Sequence, residues 1–185
     1  MIRIARADDG AALAAIYAPI VAETFISFEE DPPSSQEMSV RIEQTLKTHP
    51  WLVVEEQGRV LAYAYACPHR TRAAYKWSCD ISVYVAAPGR RQGLAQQLYA
   101  HLFKTLSGQG FGSVFAGIAL PNTASVAFHE RMGLKPVGVY ERVGYKGGSW
   151  RDVGWWGRQL QDLGPQPAPP IPFADYRLAM REVSD

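Results

Sequence analysis

Three features of the sequence carry residue types that could exchange protons or hold an anion. Asp80 lies inside the apolar stretch WSCDISVYV, and a buried strand seldom carries a carboxylate without a partner or a task. His129 can exchange a proton near neutral pH. A proton acceptor and a proton donor are therefore both available. Each residue also has a structural interpretation, Asp80 as a carboxylate satisfied by neighbouring groups and His129 as a half-buried histidine.

The third feature is the basic, glycine-containing turn PGRRQGLA at residues 88–95. The unpaired N–H groups and the dipole at a helix start favour an anion. Gly93 permits close approach of the backbone, and Arg90 and Arg91 can pair with phosphate oxygens. Neither GK[ST] nor G-x-G-x-x-G is present, so those two nucleotide motifs do not apply. The alternative interpretation is a tight strand–helix connection with two solvated arginines.

Hydrophobic periodicity predicts the elements that position these groups, in the order βααβββαβαββ. Strand 77–85, helix 92–107 and strand 113–119 form one βαβ unit, whose two strands are expected to be parallel neighbours. Alternation along the first strand places Asp80 on the face of Ser78, Ser82 and Tyr84. The predicted fold class is α+β, with a central mixed sheet flanked by helices on both faces.

Local signals mark the other elements. A capping box at Ser34 begins a second helix, and Pro19 is expected to end or bend the first one, predicted over 9–22. Asn122 or Thr123 caps a short helix. Hairpins are predicted at residues 51–67, joined at Gln57-Gly58, and at 136–160.

The pattern R-x-x-G-x-A, preceded by a V-Y-V strand, resembles the acetyl-coenzyme A signature [QR]-x-x-G-x-[GA] of the GNAT superfamily of N-acetyltransferases. Arg90, Gly93 and Ala95 occupy the defining positions. The stretches KWSCDISVYV, ALPNTASVAFHERMG and VGYKGGSWRDVGWW look like those of phosphinothricin and methionine sulfoximine acetyltransferases, over about residues 1–160. The resemblance implies a GNAT-like fold and transfer of an acetyl group from acetyl-CoA to the primary amine of a small amino acid or analogue.

The resemblance also assigns roles to the cofactor-binding residues. The turn would hold the pyrophosphate, and the pantetheine would lie beside strand 83–85 and pair with its main chain. The N–H of Val83 or its neighbour is a candidate oxyanion donor, and Asn122 would both cap its helix and touch the pantetheine. The predicted cofactor-binding residues are Val83, Tyr84, Val85, Arg90, Arg91, Gln92, Gly93, Leu94, Ala95, Asn122 and Ser125.

In catalysis, the resemblance implies that Asp80 is the general base and that His129 protonates the leaving sulfur. Related enzymes typically carry Glu where this chain has Asp80, which shortens the reach by roughly 1.5 Å. The base would then act directly or through a bridging water. For the amine substrate the resemblance favours Arg72 and Tyr75, with Lys146 available and Phe28 and Trp77 as pocket walls. The alternative is a solvated basic loop beside ordinary core aromatics.

Composition restricts the class of protein. The 185 residues suit one domain, and the net charge of +1 gives no reason to expect nucleic-acid binding. Cys67 and Cys79 lack the spacing of a metal site, so no metal is expected. No apolar run approaches the ~20 residues of a membrane span, and no secretory signal is visible. We expect a cytoplasmic protein without a membrane partner.

The predicted organisation is an acetyltransferase domain over 1–161 and a Pro-rich tail over 162–185, extended and either packed on the domain or loose. The resemblance implies a homodimer. Two other functions stay open: acetylation of another amine, such as a polyamine, an aminoglycoside or a protein N-terminus, and a non-catalytic acyl-CoA-binding module.

Overall fold

A computed structural model describes residues 1–182 and has a seven-stranded mixed sheet at its centre. The spatial order is β1-β2-β3-β4-β5-β7-β6, and within the described residues only β4 and β5 run parallel. The predicted fold class is confirmed. The strands are β1 Ile2–Ile4, β2 Trp51–Glu56, β3 Arg59–Pro68, β4 Ser78–Val85, β5 Ser113–Leu120, β6 Lys135–Lys146 and β7 Ser149–Gln159.

Within residues 1–182, five α-helices accompany the sheet. They are α1 Gly10–Glu23, α2 Ser35–Thr45, α3 Leu94–Gln109, α4 Thr123–Arg131 and α5 Phe173–Glu182. The capping box is confirmed, because Ser34 Oγ accepts from the N–H of Glu37 at 3.1 Å and the Glu37 carboxylate accepts from the N–H of Ser34 at 2.7 Å. Pro19 is expected to end or bend α1; it does not end the helix, which continues through it to Glu23, and the bend stays a prediction.

In the described part of the chain, two apolar cores lie on opposite faces of the sheet. On one face α1 and α2 pack over Trp51, Val53 and Tyr63. On the other face α3 covers the side chains of β4 that include Cys79 and Ile81, together with Val114 of β5. The buried row predicted on α3 is confirmed, with Leu94, Leu98, Leu102 and Leu106 all at 4% exposure or less. The alternation of β4 therefore leaves Asp80 on the face that α1 and α2 share.

The parallel strands β4 and β5 pair over a short length. The register matches Ser78 to Ser113, Cys79 to Val114 and Asp80 to Phe115, and it ends there. Beyond Asp80, β4 keeps its partner β3 as far as Val85, while β5 pairs with β7. The two strands consequently separate at Asp80, and the β5-facing edge of residues 81–85 has no strand partner among the described residues.

The Pro-rich tail packs on the domain. Ala168 accepts a hydrogen bond from the indole of Trp77 at 2.9 Å, and the N–H of Ile171 donates to the carbonyl of Gln109 at 2.7 Å. Helix α5 follows, with the ring of Phe173 buried. The prediction of an extended tail holds only as far as residue 172, because α5 is helical; residues 183–185 of the predicted tail lie outside the described residues.

Candidate active site

The turn between β4 and α3 has the geometry of an anion site. Gly93 precedes the first helical residue in a left-handed conformation, with φ of 76°, and no side chain of the described residues caps the helix. The free N–H groups of the first turn therefore point outward. A cavity of about 410 Å³ opens there, lined by Arg90, Arg91, Leu94 and Ala95. Arg131 at the end of α4 lines the same cavity, and the sequence analysis missed it.

The gap between β4 and β5 continues from this turn toward Asp80. A cavity of about 70 Å³ within the gap is lined by Val83 and Tyr84 of β4, Gly117 of β5, and Ile26 of the loop after α1. Asn122, Ser125 and His129 line it as well, and the Asn122 carbonyl oxygen accepts from the N–H of Ser125 at 3.1 Å, as predicted for a helix cap. Thus most of the residues predicted for the pyrophosphate and for the pantetheine line two neighbouring cavities. Gln92 lines neither of them, because its side-chain amide donates to the carbonyl of Pro88 at 2.7 Å.

Asp80 is paired with a residue that the sequence analysis passed over. Its Oδ1 lies 2.6 Å from Nδ1 of His69, which follows the end of β3. Burial raises the pKa of the Asp80 carboxyl above its ordinary value, although the hydrogen bond from His69 and the charge of Arg70 oppose that shift. The contact follows from the register of the two strands, which the sequence does not specify: β3 and β4 pair Cys67 with Asp80, and His69 is two positions further along the chain on the same face.

The imidazole of His69 belongs to a cluster of aromatic rings, which we call the acceptor cluster: His69, Tyr75, Phe115 and Trp155. The His69 ring stacks on Phe115 with centroids 4.6 Å apart, and Tyr75 and Trp155 meet it edge-on at 5.8 Å and 6.0 Å. Arg70 lies over the Trp155 ring at 5.4 Å. The acceptor cluster therefore lies on the Asp80 side of the point where β4 and β5 separate.

His129 is buried, at 6% exposure, on the other side of the gap. Its Nδ1 lies 2.8 Å from the carbonyl oxygen of Ser125, and its Nε2 lies 3.0 Å from the hydroxyl of Tyr99. Burial lowers the pKa of His129, and the Ser125 carbonyl only partly offsets that effect. The imidazole is therefore neutral at pH 7, and its role as a proton donor stays a prediction.

The residues predicted for the amine substrate lie in three different places. Arg72 and Tyr75 line a cavity of about 240 Å³, whose far wall is residues 169–172 of the tail. Trp77 lies against the tail through its bond to Ala168, with the Lys76 ammonium 4.6 Å from its ring. These contacts place Trp77 beside the tail, and its role as a pocket wall stays a prediction.

Phe28 and Lys146 meet at the loop after α1. The Phe28 ring lies where a side chain on Gly144 of β6 would be. The Lys146 ammonium donates to the carbonyls of Val21, Ser27 and Glu29 at 2.6–2.8 Å. Its three donors are therefore used to hold the loop against the β6–β7 hairpin, which favours a positioning role over direct substrate contact.

A further basic group without a sequence-based prediction is Arg151 of β7. Its guanidinium lies 4.0 Å from the Phe25 ring, and its Nε is buried without a hydrogen-bond partner among residues 1–182. The same is true of the Trp155 indole nitrogen. Within that span no group of three or more His, Cys, Asp or Glu side chains is placed to hold a metal ion, and no helix is long and apolar enough to cross a bilayer.

Comparison with known proteins identifies the family. A family described as acetyltransferase (GNAT) domain matches residues 2–155. The chain belongs to the GNAT acetyltransferases. A phosphinothricin N-acetyltransferase from Streptomyces viridochromogenes is 41% identical over 171 residues, which cover 92% of this chain and 91% of that protein. An L-methionine sulfoximine/L-methionine sulfone acetyltransferase from Pseudomonas paraeruginosa is 30% identical, covering 82% and 90% respectively.

Among solved structures, a GNAT superfamily phosphinothricin acetyltransferase from Sinorhizobium meliloti, in complex with AcCoA, is similar to this chain. The TM-score is 0.86 at 30% identity, and the match covers 91% of this chain and 92% of that one. The expectation of an acetyl-CoA-dependent N-acetyltransferase is therefore confirmed by family membership. The open gap and the uncapped start of α3 in this GNAT chain fit such a cosubstrate.

Proposed function

We propose that this GNAT enzyme transfers the acetyl group of acetyl-CoA to the primary amine of a small amino acid or analogue of the phosphinothricin or methionine sulfoximine type. The separation of β4 from β5 beyond Asp80 carries the proposal. It opens a passage with an anion site at residues 90–95 and a carboxylate at its other end. The substrate class is supported by the two relatives, a phosphinothricin N-acetyltransferase and an L-methionine sulfoximine/L-methionine sulfone acetyltransferase.

The coenzyme would bind along this passage. Its diphosphate would meet the N–H groups before α3, together with Arg90, Arg91 and Arg131. The pantetheine would lie along the unpaired edge of residues 81–85, where the main chain offers the groups that β5 does not use. A main-chain N–H at or next to Val83 would stabilise the developing oxyanion of the thioester.

The amine would approach from the face of the acceptor cluster. Asp80 lies there as the proposed base, acting directly or through a bridging group, because an ammonium has no lone pair with which to attack. Basic side chains on that face would suit the carboxylate of an amino-acid substrate. Arg72 and Tyr75 stay the residues predicted to bind the substrate. The buried, unpaired Nε of Arg151 is a second candidate. Aromatic rings would pack against the apolar part of the substrate.

A panel of amines tests the substrate class. We expect kcat/KM for phosphinothricin, methionine sulfoximine or methionine sulfone to exceed that for spermidine, an aminoglycoside and an alanine-ended peptide by about 100-fold, since a site built for one polar group rejects ligands that lack it. Mass spectrometry of the acetylated amine gives the rate. An N-blocked substrate is the control. Preference for the polyamine or the peptide would contradict the substrate class, and coenzyme binding without turnover would favour a binding module.

We further propose that the protein is a homodimer that uses the β6 edge. Val137, Val139, Val143 and Tyr145 on β6, and Trp150 on β7, are all more than half exposed. An exposed apolar edge strand is a template for pairing with another chain. Sedimentation velocity is expected to show a dimer, and Val139→Lys is expected to shift it toward the monomer. A monomeric wild-type protein at micromolar concentration would refute this arrangement.

A further inference from the structure

His69 and Asp80 form a pair whose polar atoms face each other where β4 leaves β5. The Nδ1 to Oδ1 distance is 2.6 Å, and the two side chains are 14% and 24% exposed. The partner of Asp80 in the β4–β5 register is Phe115, the last matched residue before the strands separate. Because the His69 ring stacks on Phe115 at an interplanar angle of 28°, the imidazole lies at the mouth of the gap.

The contact determines which nitrogen of His69 holds the proton. An ionised Asp80 only accepts hydrogen bonds, so Nδ1 must donate to it. The neutral ring then keeps its lone pair on Nε2, which makes no hydrogen bond within the described part of the chain. Packing between Phe115, Tyr75 and Trp155 fixes the plane of the ring. A carboxylate that orients a histidine in this way leaves the opposite nitrogen ready to take a proton.

We propose that His69 is the proton acceptor of the acetyl transfer and that Asp80 is its positioning residue. This inference rests on the proposed N-acetyltransferase function and concerns the same site. It accounts for the shorter acid at position 80: the aspartate does not need to reach the amine, because the imidazole stands between them.

The proton balance of the reaction is complete with these groups. Nε2 of His69 takes one proton from the substrate ammonium, and the neutral amine attacks the thioester carbonyl carbon to form the C–N bond. The tetrahedral intermediate collapses, the C–S bond breaks, and its electron pair stays on sulfur. The second proton from the amine nitrogen ends on that sulfur as the coenzyme A thiol. The imidazolium, stabilised meanwhile by Asp80, returns its proton to water.

Other titratable groups around the pair enter any pH profile. They are Arg70, Tyr75, Cys67 and Cys79. Burial raises the pKa of Asp80, and the charge of Arg70 only partly opposes that shift. Burial also raises the pKa of the Cys67 thiol to about 11. Burial raises the pKa of the Cys79 thiol well above its ordinary value. The two thiols are therefore protonated at neutral pH and do not accept a proton from the substrate there.

Two substitutions at His69 test the proposal through different readouts. His69→Phe keeps a ring on Phe115 and removes both nitrogens. We expect kcat to fall about 100-fold or more, the KM for acetyl-CoA to change less than about twofold, and the acid limb of the kcat/KM profile to disappear. His69→Gly is expected to regain activity by about tenfold or more with added imidazole. The acetylated amine is quantified, because imidazole itself can accept the acetyl group.

Asp80→Asn is the matched control. It removes the negative charge that stabilises the imidazolium, and its amide can turn either an N–H or an oxygen toward Nδ1, so the tautomer is no longer fixed. Because the defect is at position 80 and the ring of His69 is still present, imidazole is not expected to rescue it. Turnover by His69→Phe within about threefold of wild type would overturn the proposal, and so would a folded, coenzyme-binding His69→Gly that imidazole does not rescue. If His69→Gly does not fold, the pH profile of His69→Phe decides.

Nitrogen NMR of the histidine side chains separates this inference from the proposed function. The wild-type chain is expected to show His69 as the Nδ1–H tautomer, and Asp80→Asn is expected to lose that preference. This readout needs no turnover. If no amine in the panel is acetylated but the Nδ1–H tautomer of His69 is observed, the proposed function is refuted, while the hydrogen bond between His69 and Asp80 stands. If turnover is normal but His69 is the Nε2–H tautomer, the proposed roles of His69 and Asp80 are refuted, while the N-acetyltransferase function stands.

Discussion

The hydroxyl of Tyr99 lies 3.0 Å from Nε2 of His129, joining α3 to α4 beside the gap in the sheet. The carbonyl of Ser125, 2.8 Å from Nδ1, can only accept, so Nδ1 carries the hydrogen and Nε2 accepts from Tyr99. Both nitrogens of the neutral ring are thus used. To protonate the leaving sulfur, His129 would have to become an imidazolium, and burial lowers its pKa.

Removing one member of this pair is expected to destabilise the protein. In His129→Phe the buried Tyr99 hydroxyl loses its acceptor, which costs about 1–3 kcal/mol, whereas Tyr99→Phe with His129→Phe should cost less than the sum of the single changes. Guanidinium unfolding of the four proteins measures the coupling. Strict additivity would contradict the pairing, and a 100-fold loss of kcat at unchanged stability would instead support a proton donor.

Substitutions in the turn before α3 should affect coenzyme binding. Arg90→Ala is expected to raise the KM for acetyl-CoA about tenfold with little change in kcat, because a charge-assisted hydrogen bond is lost. Gly93→Ala should also cost about 1 kcal/mol of stability, since its φ of 76° disfavours a residue with a side chain. Steady-state kinetics measures the effect on the KM, and thermal unfolding measures the effect on stability. Lys104→Ala, an exposed position on α3, is the control, and an unchanged KM in Arg90→Ala would rule out the anion site.

Lys146→Met tests whether the loop after α1 shapes the amine pocket. The change leaves three carbonyls without their donor, so we expect a loss of about 1–3 kcal/mol together with a roughly tenfold higher KM for the amine. The KM for acetyl-CoA should stay nearly constant. Lys135→Met, exposed on the same hairpin, is the comparison. A higher amine KM at full stability would mean that the ammonium contacts the substrate, as the sequence analysis predicted.

His49 should make the protein acid-sensitive. Burial beside Phe111 lowers its pKa to about 4 in the folded state, against about 6.5 when unfolded. The unfolded chain therefore binds more protons between these values, and the stabilisation present above pH 6.5 is lost as the pH falls through 4, by at most about 3 kcal/mol. His49→Phe should flatten this part of the stability profile. Urea unfolding at a series of pH values measures the free energy of unfolding of both proteins. If that free energy depends on pH equally in the two proteins, His49 is not the cause of the acid sensitivity.

Local patterns were enough to predict most of the elements. The Ser34 capping box, the apolar row on α3 and the cap at Asn122 each depend on residues within four positions of one another, and all three are confirmed. Helix α5 was missed because a proline-rich stretch precedes it. Its burial of Phe173 against the domain supplies stability that the local sequence does not display.

By itself the sequence determined the turn at 90–95, the family resemblance and the face on which Asp80 lies, because strand alternation and helix starts are local properties of the chain. Only the tertiary structure decided that His69 contacts Asp80 and that Arg131 lines the cavity at the turn. It also decided that the Lys146 ammonium donates to carbonyls at the end of α1 and in the loop after it. Those contacts depend on strand register, on the packing of helices across the sheet and on loop closure over more than 100 residues. No local pattern encodes such distances.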